Sequence, residues 1–161
     1  MKPSYSLLFI LIVASIHGCM EPGDTRVLLT NNSRIKLSSF VADGVHSGFS
    51  YPDTTLPSSL NDLCVRTNIA DSCEIWAGTV ASYNGLLATT QLGILSVYLF
   101  SQEAIDQYGW NNILLNNLYL VRYDLTADDL NSLIGRISFP PSDQMKNVKM
   151  YPSYEVICKY E

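Results

Sequence analysis

Ile94-Leu95-Ser96-Val97-Tyr98-Leu99-Phe100 is a run of strand-forming residues with a single small polar member, Ser96. Apolar side chains fall on both faces of such a strand, whereas a strand with one wet face alternates. The segment therefore reads as a central strand, which needs neighbours beside it and layers above and below. Upstream, Ile75 to Val80 is a second strand, and Arg34-Ile35-Lys36-Leu37 alternates strictly, Ile35 and Leu37 on one face. Arg26 to Thr30 is an apolar run before the turn-like Asn31-Asn32-Ser33, so a hairpin across that turn is expected. Tyr51-Pro52-Asp53-Thr54-Thr55 is a turn in which proline presets φ and oxygen-bearing side chains accept nearby N–H groups. Leu56 to Ser72, rich in Ser, Asn and Asp, reads as a long connection.

Downstream, Ser101 is placed as an N-cap, and Ala104, Ile105 and Tyr108 form an apolar helical face. Gly109 interrupts it, and Trp110, Ile113 and Leu114 resume the helical spacing. Leu118 to Asp124 returns to strand, and Thr126-Ala127-Asp128-Asp129 has the form of a capping box opening a short helix with Leu130 and Leu133. Ile137 to Phe139 is a short strand stopped by Pro140-Pro141, and Tyr154 to Tyr160 alternates as a last strand. The fold class expected is mainly β: an antiparallel β-sandwich-like domain with two short helical insertions, or else a sheet-dominated α+β fold.

The 161 residues include 15 acids, 10 bases and only two histidines, His17 and His46. A net charge of −5 argues against nucleic acid, which is bound through basic patches. The hydrophobic fraction of 47% is that of a chain able to build a core.

Residues 1–18 have the pattern of an export signal. Lys2 gives a positive start, and Leu7 to Ile16 is an apolar run interrupted only by Ser15. As a helix such a run spans about 15 Å, half of a hydrocarbon core of about 30 Å. It ends in Ile16-His17-Gly18-Cys19, which looks like a bacterial lipobox, with Cys19 the acylated first residue of the mature chain and His17 an unusual occupant. Two or more acyl chains hold a protein to a bilayer stably. Residues 19–25 are then the lipidated cysteine and a tether, Met20-Glu21-Pro22-Gly23-Asp24 among them, and residues 26–161 a single β-rich globular domain. The tether lacks a contiguous acidic pair of the kind that resembles a surface-export signal. A place on the periplasmic face of the outer membrane is therefore expected over the cell surface.

An exported protein meets an oxidising compartment. Cys64 and Cys73 close a ten-residue ring, whose bridging would contribute about 2.7 kcal/mol by chain entropy. Two unpaired thiols are the alternative. Cys158 reads as a buried structural thiol on the last strand.

Several motifs in combination resemble a group of small lipoproteins of Bacteroides and relatives. They are Tyr51-Pro52-Asp53-Thr54-Thr55-Leu56, Tyr108-Gly109-Trp110, and Arg122-Tyr123-Asp124-Leu125 followed by Asp129-Leu130. The resemblance runs from about Asn31 to Pro140. Where that group carries an Asn-Trp pair before the last strand of the motif, this chain has Gly135-Arg136. The resemblance implies an envelope address and no established activity.

Candidate chemistry is sparse. Metal-dependent hydrolysis requires several ligands, and no Asp-rich calcium loop, Gly-rich phosphate loop or serine elbow occurs, so neither metal nor cofactor is expected. His46, in Gly44-Val45-His46-Ser47-Gly48, reads as part of an exposed turn. Asp128-Asp129, with Asp124 nearby, are paired carboxylates of a kind glycosidases use, but Asp129 has a place in the cap. Trp76 and Trp110 are a candidate platform, although the spacing of Trp110 favours the core. Tyr83 beside Asn84-Gly85 and Tyr151 beside Pro152 are the candidate exposed binding residues. Together these features point to a membrane-anchored, non-catalytic envelope module contacting a protein or a glycan. A hydrolase acting on polysaccharide or cell-wall substrates is the alternative.

Overall fold

The computed structural model describes residues 25–43, 51, 56–65, 72–78 and 82–158. Residues 1–24, Cys19 among them, His46, Pro52 to Thr55, Thr79, Val80, Lys159 and Tyr160 lie outside the described residues, whereas Thr25, the last residue of the expected tether, is a strand residue.

Ile94 to Phe100 does form the centre of a sheet. As strand β5, Leu95–Ser101, it lies between β2 (Leu37–Ala42) and β6 (Val121–Leu125), and six of its seven residues are buried. The outer strands are β3 (Cys64–Val65) beside β2 and β8 (Lys149–Tyr151) beside β6, giving the antiparallel order β3-β2-β5-β6-β8. A second sheet has the order β4-β1-β7, from β1 (Thr25–Asn31), β4 (Ser72–Gly78) and β7 (Arg136–Phe139). Its β1·β4 pair is antiparallel with a bulge between Val27 and Leu28, and its β1·β7 pair is parallel. The protein is a strand-rich α+β fold dominated by its two sheets.

The sheets share a core because strand side chains alternate. Val27, Leu29 and Ile137 from the smaller sheet pack with Leu95, Val97, Leu99, Val121, Tyr123 and Leu125 from the larger. Buried Tyr123 donates its hydroxyl to the Ser138 carbonyl at 2.8 Å, joining β6 to β7. On the other face of the larger sheet, α2 (Gln102–Tyr108) and α3 (Trp110–Asn116) lay Ile105, Trp110 and Ile113 over Phe40, Tyr98 and Phe100. Trp110 meets Phe100 edge-on at 5.2 Å and donates its indole N–H to the Pro57 carbonyl.

The local signals behave as their chemistry requires. Ser101 caps α2 through the Ala104 N–H, and Gly109, at φ +77°, separates the two helices. Thr126 and Asp129 form both halves of the capping box of a further helix, Ala127–Ser132. β7 stops at Pro140, whose peptide bond with Phe139 is cis.

Several expectations are corrected. β1 and β2 are consecutive but lie in different sheets, so there is no hairpin across Asn31-Asn32-Ser33. Fully buried Asn31 accepts from the Ser33 N–H and hydroxyl and donates to the Ile35 carbonyl, while the Asn32 N–H reaches the Phe139 carbonyl. That turn carries the chain between layers instead of folding it back. Arg34 to Lys36 precedes β2, and Leu118, 45% exposed, precedes β6.

Five short α-helices occur among the described residues: the first expected insertion is split at Gly109 into α2 and α3, the second is Ala127–Ser132, and two more are added. The added ones are Tyr83–Leu87, hidden by the turn-like Asn84-Gly85 and capped by Ser82, and Tyr154–Ile157. The latter replaces the last strand: Ile157 is buried whereas Val156 is 40% exposed. The alternation of Tyr154, Val156 and Cys158 misleads because buried Ile157 and half-buried Tyr154, both against the main core, follow the three-residue spacing of a helix turn. Cys158 is half-buried at that helix end, its thiol 3.9 Å from the Pro141 carbonyl.

Candidate functional site

Away from α2 and α3, the outer face of the larger sheet is polar. Register places Tyr98, Arg122 and Tyr151 in one row across β5, β6 and β8, and Ser96, Asp124 and Lys149 in the next. Residues two apart on a strand share a face, so the two rows form one surface. Arg122 donates through Nε and Nη2 to the two oxygens of Asp124, each at 2.7 Å, and the Ser96 hydroxyl donates to the same carboxylate at 2.7 Å. Asp124 is 1% exposed. Its hydrogen bonds hold the Arg122 guanidinium above its ordinary pKa, against the opposing effect of burial.

Tyrosines enclose this pair. The Arg122 guanidinium carbon lies 5.1 Å from the Tyr151 ring centre, 5.7 Å from that of Tyr98 and 5.8 Å from that of Tyr51. The Lys149 ammonium is 5.0 Å from the Tyr51 ring and 5.7 Å from the Tyr151 ring, and it donates to the Tyr51 hydroxyl at 3.1 Å. Hydrogen bonding to Tyr51, then to Tyr151, raises the pKa of Lys149 above its ordinary value. Its side chain is half exposed and stands 4.0 Å from Asp124. The cluster thus carries two cations against one buried carboxylate, beside an exposed aromatic ring.

Of the two tyrosines singled out from the sequence, Tyr151 belongs to this surface and is 42% exposed. Its peptide bond to Pro152 is cis. Tyr83 is elsewhere. It is half-buried against the main core, and its hydroxyl donates to the Arg26 carbonyl at 3.0 Å, which makes it a packing residue and corrects its placement as an exposed one.

Trp76 and Trp110 are both buried, and Trp76 donates to buried Asp43 at 3.0 Å, so neither forms a platform. Cys64 lies on β3 of the larger sheet and Cys73 on β4 of the smaller. Asp129 is in the capping box and Asp124 in the Arg122 pair. Tyr51, Arg122 and Lys149 were not legible as site residues. The one local signal is the Arg122, Asp124 spacing: opposite charges two apart on an otherwise apolar strand must share a face.

Among the described residues, no group of three His, Cys, Asp or Glu side chains is placed to hold a metal ion. No helix there is long and apolar enough to cross a membrane. No protein-family model, curated protein or solved structure matches the chain.

Proposed function

We propose that this protein is a lipid-anchored lipoprotein of the bacterial cell envelope whose β-rich domain is a non-catalytic binding module. Acylated Cys19 holds it to the outer membrane, on the periplasmic face, and the Tyr51, Lys149, Tyr151 surface contacts an envelope protein or a glycan. One observation carries the binding reading: Tyr151, 42% exposed, lies beside the half-exposed Lys149 on the same edge strand. An exposed aromatic supplies contact area at small entropic cost, and a neighbouring charge supplies orientation. The carboxylates that hydrolysis would require support binding instead, since Asp124 is neutralised by Arg122 and Asp129 closes a helix cap. The apolar run ending in Gly18-Cys19 and the resemblance to small lipoproteins support the address.

The test is proteinase treatment of intact and outer-membrane-permeabilised cells, with Cys19→Ala as the anchoring control. Digestion only after permeabilisation, and loss of Cys19→Ala from the membrane fraction, is the expected outcome. Retention of Cys19→Ala in membranes would overturn the anchor, and digestion in intact cells would move the domain to the cell surface.

A further inference from the structure

We propose that the surface formed by Tyr51, Lys149 and Tyr151 binds an acidic saccharide, with a sugar ring laid on Tyr151 and its carboxylate taken by Lys149. This rests on the binding reading above and adds the chemistry of the ligand.

The charge arrangement comes first. Arg122 is only 7% exposed and its Nε–Nη2 edge is bonded to Asp124, so it is largely withheld from a ligand in solution. Lys149 differs: it hydrogen-bonds the phenol hydroxyls of Tyr51 and Tyr151, and it is 4.0 Å from a carboxylate already shared with Arg122 and Ser96. Among the described residues the surface therefore presents one compact, half-exposed positive charge, which matches a ligand with one carboxylate per bound unit. A polyphosphate would require several cations.

The aromatic part comes next. The Tyr151 ring has the Arg122 guanidinium 5.1 Å and the Lys149 ammonium 5.7 Å from its centre, and the residue is still 42% exposed. A ring fixed in this way offers a flat apolar surface with little entropy left to lose, the complement of the C–H face of a pyranose. Tyr51, half-buried on the same cluster, brings a hydroxyl able to bond sugar oxygens. The chain as a whole is acidic, with a net charge of −5, so a densely charged polyanion reaching past Lys149 is repelled. A saccharide whose carboxylates are separated by whole rings satisfies both the charge and the stacking. An acidic peptide satisfies only the first.

The experiment is isothermal titration calorimetry of the full-length Cys19→Ala chain with three probes: trigalacturonate, its methyl ester and hexaglutamate. Trigalacturonate is expected to bind, and Lys149→Gln and Tyr151→Ala each to weaken it at least about tenfold, the loss typical of one charge-assisted contact. Tyr151→Phe keeps the ring and is expected to retain binding, which separates loss of stacking from loss of fold. The methyl ester is expected to bind at least about tenfold more weakly than the acid. Thermal melts of every variant verify folding. Absence of binding by trigalacturonate, or unchanged binding in both Lys149→Gln and Tyr151→Ala, overturns the proposal. Hexaglutamate binding equally well through Lys149 overturns the saccharide assignment and leaves the binding surface standing. Membrane fractionation of Cys19→Ala reports on the anchor independently of all three probes.

Discussion

Arg122 and Asp124 stand two residues apart on β6 and meet through two 2.7 Å hydrogen bonds, almost wholly out of water. The pair lies where the outer face of the larger sheet emerges from under its helices. Its partners are three tyrosine rings, the Ser96 hydroxyl and the ammonium of Lys149. Neither charge is isolated, and each makes the burial of the other tolerable.

Removing one member should therefore cost far more than removing both. Asp124→Asn leaves a buried guanidinium without its carboxylate and is expected to destabilise the fold by about 3–5 kcal/mol. The apolar double replacement, Arg122→Met with Asp124→Leu, is expected to recover most of that loss. Urea denaturation of the two variants and the wild type measures the difference, and equal losses in the single and double variants would contradict the buried-pair account.

Tyr98 gives a pH-dependent prediction. Its hydroxyl is buried without a hydrogen-bond partner among the described residues, and burial, the largest effect, pushes its pKa up to about 12. A raised phenol pKa means that the folded state holds the proton more tightly than the unfolded chain does. Its contribution to stability is thus complete below pH 10 and is lost as pH rises from 10 through about 12. The wild type is expected to lose stability steeply across that window, and Tyr98→Phe less so. At pH 7, Tyr98→Phe is expected to be as stable as the wild type or more so, since it removes an unsatisfied polar atom. Denaturant midpoints at pH 7, 10 and 12 test both statements.

Tyr123 acts differently because its hydroxyl has a partner. Burial raises its pKa strongly, and the 2.8 Å bond to Ser138 links the two sheets. Tyr123→Phe leaves a buried carbonyl unsatisfied and is expected to cost about 1–2 kcal/mol at pH 7, read from the denaturant midpoint. The opposite signs expected for Tyr98→Phe and Tyr123→Phe form an internal control.

Gly135 is fixed by backbone and space together. It sits at φ +65°, and a Cβ there would run into the Tyr83 hydroxyl and the Arg26 carbonyl. Its own carbonyl accepts from the Leu28 N–H at 2.8 Å, holding the start of β7 against β1. Gly135→Ala is expected to lower stability by more than about 1 kcal/mol. Thermal melts should show that adding Tyr83→Phe does not rescue it, because the Arg26 carbonyl remains in the way.

The sequence disclosed those parts of the fold that are set by near neighbours. The burial of β5 follows from its unbroken apolar run, the break at Gly109 from an interrupted helical period, and the Thr126 cap from side chains three residues apart. The end of β7 follows from Pro140, which cannot donate to a ladder. The short helices Tyr83–Leu87 and Tyr154–Ile157 were obscured because each spans about one turn, too short for a period to show.

Which strands lie side by side was decided only by the tertiary structure. β1 and β2, six residues apart in the chain, join different sheets because buried Asn31 spends its hydrogen bonds on turning the backbone from one layer to the other. The candidate site has the same origin. Lys149 and Tyr51 are 98 positions apart and meet only because β8 adds to the edge of β6. Patterns of period and capping are written within a few residues and can be read there. Pairing across the chain is a competition over burial and hydrogen bonding for the whole molecule, which no local stretch contains.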